Sequence, residues 1–156
     1  MQLTLQTDFS LRTLIYVGLK PAGQLSTVNE VADVFGIPRN HLVKIAHRLG
    51  REGYLSTVRG KNGGICLARP AQEINVGAVV RSVEPTLHAV QCRKAEGDCI
   101  ILPACRLRSV LDDAMGAFMA VLDSYTLADV LHEPEQLLKL VNLSRPAPLP
   151  EPVTTP

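Results

Sequence analysis

Between Thr27 and Ala68 the sequence sets out, in order, a capped apolar stretch, a glycine, a proline-led basic stretch and two short apolar runs around a glycine-rich turn. Few folds accommodate that order. Thr27-Val28-Asn29-Glu30 has the form of a capping box, in which a threonine hydroxyl and a glutamate carboxylate satisfy free amides at a helix start. Val28, Val31, Ala32 and Phe35 then recur at helical spacing, so a short helix is expected to run to Gly36. Pro38 suits the opening turn of the next helix, where its missing N–H costs nothing. Leu42, Ile45, Ala46 and Leu49 give that helix a buried stripe before Gly53 ends it.

The opposite face of this second helix carries Arg39, Asn40, His41, Lys44, His47, Arg48 and Arg51, four fixed cations with no acid before Glu52. A short helix, a glycine turn and a basic helix match a helix-turn-helix, whose second helix enters the major groove of double-stranded DNA. Tyr54–Val58 and Ile65–Ala68 then read as strands of a hairpin around Arg59-Gly60-Lys61-Asn62-Gly63-Gly64, with a tight turn expected at Asn62-Gly63. A hairpin with cations at its tip, placed directly after a helix-turn-helix, is the pattern of a winged helix. On this reading Arg39, Asn40, His41, Lys44 and Arg48 meet the major groove, and Arg59 and Lys61 meet the minor groove or the backbone. Charge distribution agrees: residues 1–70 hold nine Lys/Arg against four Asp/Glu, whereas residues 71–156 hold seven against eleven. GKNGG lacks the glycine spacing and following helix of a phosphate-binding Walker loop. No nucleophile–base or H-E-x-x-H pattern is present either, so an enzyme is not expected.

Around this core, Leu11, Leu14, Ile15, Gly18 and Leu19 predict a first helix over 8–19, and 75–83 reads as a further short helix. An irregular stretch follows to about Pro103. Then Ala104, Leu107, Leu111, Ala114, Phe118, Val121 and Tyr125 alternate by three and four residues, the spacing of a helix-pairing seam. The expected organisation is mainly α with a small β-hairpin. It comprises a winged-helix domain (1–83), a cysteine-bearing loop (84–103), a dimerisation helix (104–128) and a C-terminal segment (129–156) disordered towards its proline-rich end. Hydrophobic residues at 46% suffice for a core, and the longest apolar stretches are too short to span a bilayer, so a cytoplasmic protein without membrane contact is expected.

Cys92, Cys99 and Cys105 are spaced C-x6-C-x5-C, looser than the paired knuckles of structural zinc sites and unlike ferredoxin runs. Three soft thiolates in one loop favour an iron-sulfur cluster or zinc over hard cations, and spacing leaves that choice open. Cys66, on the second wing strand, reads as a buried structural thiol. Asp8 and Arg12, four apart on the first helix, read as a surface ion pair.

TDFSLRTLIY (7–16), RNHLVKI (39–45), YLSTVRGKNGGICLARP (54–70), the cysteine spacing ending in CRL, and YTLADV (125–130) together resemble winged-helix regulators that hold an iron-sulfur cluster. The likeness is strongest to their nitric-oxide-sensing branch. It covers residues 1 to about 132 and implies a homodimer that binds a palindromic operator while its cluster, 2Fe-2S or 4Fe-4S, is intact. It further implies release when nitric oxide attacks the cluster. By matching position, Cys92, Cys99 and Cys105 are the implied cluster thiolates, and Asp8 is the implied carboxylate ligand from the partner subunit. Arg106-Leu107-Arg108 stands where cluster-assembly regulators of this group place a histidine. An iron- or redox-responsive regulator of the same group, or a small iron-sulfur electron carrier, are the alternatives.

Overall fold

The computed structural model describes residues 3–87 and 100–141. Cys92, Cys99 and the proline-rich tail therefore lie outside the described residues. The first helix, α1 (Leu5–Gly18), starts a turn earlier than the apolar spacing predicts, because its inward face is partly hydroxylic: Thr7, Ser10 and Thr13 are buried beside Leu14, Tyr16 and Val17. Ser10 Oγ donates to the Gln6 carbonyl and Thr13 Oγ1 to the Phe9 carbonyl, both at 2.7 Å. Satisfied within their own helix, these hydroxyls enter the core without the penalty of an unpaired polar group.

The helix-turn-helix forms as its caps predict. In α2 (Val28–Phe35) the Glu30 amide donates to Thr27 Oγ1 at 3.1 Å, and the Thr27 amide donates to the Glu30 carboxylate at 2.9 Å. Gly36 ends the helix at φ 63°, a left-handed conformation that glycine adopts without strain. Pro38 precedes α3 (Arg39–Arg51), which buries Leu42, Ile45, Ala46 and Leu49. Strands β1 (Leu55–Val58) and β2 (Gly64–Leu67) pair antiparallel, with Leu55 opposite Leu67 and Val58 opposite Gly64. Ser26 adds a one-residue bridge to Ile65, so the wing is stitched to the segment before α2. The wing tip departs from the expected turn. Pairing stops at Val58 and Gly64, which leaves five residues in the loop. Gly60 takes the positive φ of 116°, and the Gly63 amide closes onto the Gly60 carbonyl at 3.0 Å. Lys61 and Asn62 thereby occupy the apex.

Helix α4 (Val76–Val83) is capped by Asn75, whose Oδ1 accepts from the Ala78 amide at 2.9 Å. The long helix, α5 (Arg106–Asp123), ends before the predicted seam does. Arg81 of α4 holds Asp123 by two hydrogen bonds, and Asn75 Nδ2 donates to the Asp123 carbonyl at 2.6 Å. Three residues on, Thr126 and Asp129 form a second capping box that opens α6 (Leu127–Val130). Tyr125 is thus outside α5, and Leu127 joins the core cluster that contains Leu14, Val79 and Val83. The chain folds back onto the winged domain where a continuous helix to 128 was expected. The seam itself divides: Leu111 and Phe118 are half-buried, while Leu107, Val110, Ala114, Ala117 and Val121 form one exposed stripe. A short α7 (Pro134–Leu140) follows. Among the described residues no helix is long and apolar enough to cross a membrane.

Candidate nucleic-acid interface

The outward face of α3 is a stripe of Asn40, Val43, Lys44, His47 and Arg51, all exposed. It is exposed because the opposite face is fully committed to the core through Leu42 and Leu49, seven residues apart on one side of the helix. Arg39 Nε donates to Asn29 Oδ1 at 2.7 Å, linking the starts of α2 and α3. Asn40 Oδ1 accepts the His41 amide at 3.0 Å. The His41 ring stands edge-on to Phe9 of α1, centroids 6.4 Å apart, over a cleft of about 140 Å³ lined by Gln6, Phe9, His41, Lys44 and Ile45. Arg59 and Lys61 are exposed at the wing.

Other charged groups of this half have structural duties. Arg69 Nε donates to the Gly53 carbonyl at 2.9 Å while its guanidinium lies over the Tyr54 ring at 5.2 Å. For Glu30, burial pushes the carboxyl up, but the Thr27 amide and the Lys20 ammonium, 3.0 Å away, outweigh it and hold the group below its ordinary range. The basic face of α3 and the wing thus remain the cationic surface available to a polyanion, as a phosphate backbone requires.

Two assignments look different in three dimensions. Arg48 is half-buried, and its Nη2 donates to the Ser82 carbonyl at the end of α4 at 2.5 Å. Val43 belongs neither to the polar set nor to the buried stripe expected from the sequence, yet it is 47% exposed in the middle of the polar face. Apolar contact with a thymine methyl is one of the ways a recognition helix reads a base. The signal for Val43 was available, since the buried spacing of α3 skips it.

The proposed metal ligands are only partly in view. Asp8 pairs with Arg12 at 2.9 Å on the surface of α1. Cys105 is a free, half-buried thiol at the N-cap position of α5. Among the described residues no group of three or more His, Cys, Asp or Glu is arranged to hold a metal. Cys66 is half-buried where burial was expected: alternate residues of β2 face opposite ways, Ile65 enters the core, and Cys66 lines a groove of about 440 Å³ beside the α1–α2 connection.

Residues 3–133 match the family model of Rrf2, described as an iron-dependent transcriptional regulator. The chain belongs to the Rrf2 family. Solved structures of the same fold include CymR, the global cysteine regulator of B. subtilis, at TM-score 0.68 and 22% identity over 83% of this chain and 95% of that one. The oxidised form of Staphylococcus aureus CymR aligns at TM-score 0.66 and 23% identity, covering 81% and 93% of the two chains. T. potens IscR aligns at 0.64 and 24%, covering 88% and 90%. At these identities the structures establish the winged-helix fold, and the family establishes the class: an Rrf2 transcriptional regulator, not an enzyme. Rrf2 regulators bind DNA and are dimeric.

Proposed function

We propose that this Rrf2 protein is a homodimeric repressor of the NsrR type, which holds an iron-sulfur cluster and releases a palindromic operator when nitric oxide attacks that cluster. The observation that carries the DNA-binding part is the exposure of Asn40, Lys44 and Arg51 on α3 together with Arg59 and Lys61 on the wing. Arg39 and His41 border that surface at the start of α3. Phosphate contacts supply most of the affinity and a few base contacts the specificity. A twofold dimer presents its two α3 helices to half-sites about one helical turn apart. The exposed stripe of α5 is the surface we assign to the second copy. Bound to DNA, the protein works in the cytoplasm.

The cluster part rests on donor chemistry. Cys92, Cys99 and Cys105 are soft thiolates suited to iron, and Cys105 is free directly before α5. Asp8 of the partner subunit completes the set in this reading. The Asp8–Arg12 pair is exposed, and such pairs contribute roughly 0–1 kcal/mol, so opening it to free the carboxylate costs little. When bound, the cluster supplies the iron with which nitric oxide reacts, in either the 2Fe-2S or the 4Fe-4S form. Held together, the thiolates restrain the segment leading into α5, and with it the separation of the two recognition helices. A difference of a few kcal/mol between two dimer settings is enough to move the population from bound to free.

The test is an anaerobic absorption spectrum before and after nitric oxide, with DNA binding measured on the same samples. A visible cluster band that bleaches together with loss of binding is expected. A colourless zinc protein, or a cluster whose destruction leaves binding intact, refutes the sensor reading.

A further inference from the structure

The last turn of α4 receives two other helices. Arg48, in the C-terminal half of the recognition helix α3, donates to the Ser82 carbonyl at 2.5 Å. Two residues further on, the Glu84 carboxylate accepts from the Thr4 amide at 3.2 Å, from the Thr4 hydroxyl at 3.0 Å and from the Thr7 hydroxyl. The end of α3 and the start of α1 are therefore fastened within one three-residue stretch, to Ser82 and Glu84 respectively. Those residues also stand at the exit of α4 towards the segment that bears Cys92 and Cys99. Immediately before them, Arg81 ties α4 to Asp123 at the end of α5. Helix α4 thus makes direct polar contact with the DNA-reading helix on one side and with α5 on the other.

Arg48 shares the helical face of His41 and Lys44, so from spacing alone it belongs to the DNA-contacting set. Its environment says otherwise. A half-buried guanidinium already bonded to a carbonyl gains less from a phosphate than an exposed one, since that bond must first be broken. A helix held at both ends can also present its base-reading residues only in the setting its anchors allow. For α3 the anchors are Arg39 to Asn29 at the start and Arg48 to Ser82 at the end.

We propose that Arg48 is a positioning residue and not a phosphate contact: by bonding the Ser82 carbonyl it sets the recognition helix from the end of α4. This rests on the DNA-binding reading above, which the same experiment checks separately. The full-length chain first selects a duplex from a random pool, and its affinity for that duplex is measured across a range of salt concentrations. Arg48→Met keeps the aliphatic stem and removes both donor and charge. It should weaken binding by about tenfold, the scale of one hydrogen bond from a charged group, while the slope of log affinity against log salt stays at the wild-type value. Arg48→Gln, which restores a neutral donor, should return part of the lost affinity, again at an unchanged slope. A slope that falls by about one in both variants makes Arg48 a phosphate contact and overturns the proposal. Unchanged affinity in both overturns it as well, since α3 then needs no such anchor. Thermal melts accompany each measurement, and if Arg48→Met does not fold, the Arg48→Gln slope and affinity decide. A wild-type chain that selects no duplex refutes the underlying DNA-binding reading, a result distinct from either outcome for Arg48.

Discussion

Replacing Val110 by glutamate tests the surface assigned to the second copy. Val110 is 58% exposed in the middle of the α5 stripe, between Leu107 at 62% and Val121 at 59%. Full burial of such a side chain contributes about 1.5–3 kcal/mol, so covering the exposed three-fifths contributes roughly 1–2 kcal/mol. A twofold interface contains the position twice, and Val110→Glu therefore removes about 2–4 kcal/mol of dimer stability before the desolvation of two carboxylates is added. That corresponds to a dimer dissociation constant raised by roughly thirtyfold to a thousandfold. Because the position is exposed in the single chain, the fold of the subunit should persist. Sedimentation equilibrium over a concentration series, with circular dichroism as the control, reads the effect directly. A variant with wild-type dimer dissociation and a wild-type melt shows that the stripe is not the interface.

Lys61→Ala should weaken binding to all duplexes alike and lower the salt slope by about one, whereas an unchanged slope means that the wing apex does not reach phosphate. Cys99→Ala should give a colourless dimer that binds the selected duplex weakly; a coloured, fully binding variant removes Cys99 from the ligand set. The Asp123 carboxyl is held below its ordinary range chiefly by the hydrogen bonds from Arg81. A depressed folded-state pKa means that this contribution is complete above the unfolded value of about 3.9 and is lost as pH falls through the lower folded value. Melting temperature should thus decline less steeply below about pH 4 in Asp123→Asn than in the wild type. Parallel acid limbs in the two proteins refute that role.

Local chemistry made much of the winged domain legible. The Thr27–Glu30 box, Gly36, Pro38 and the 42/45/46/49 stripe each act within a few residues, so their outcome is decided before any distant partner arrives. The cationic faces were legible for the same reason, since a helix that buries one side must show the other. Less was legible in α1, where hydroxyl bonds, within the helix for Ser10 and Thr13 and to Glu84 for Thr7, let all three pass as core residues. Apolar spacing cannot register them.

By its own sequence the chain determined where α2 and α3 begin, that a hairpin follows them and which faces are basic, because caps and periodicity depend on neighbours along the backbone. Only the tertiary structure decided where α5 stops, which of its apolar residues face outward and which group Arg48 bonds. Those outcomes turn on contacts between residues far apart in the chain, Arg81 with Asp123, Leu127 with the core of the winged domain, and Arg48 with Ser82. A periodic pattern states that a helix has an apolar side, but which part of that side is covered depends on what packs against it.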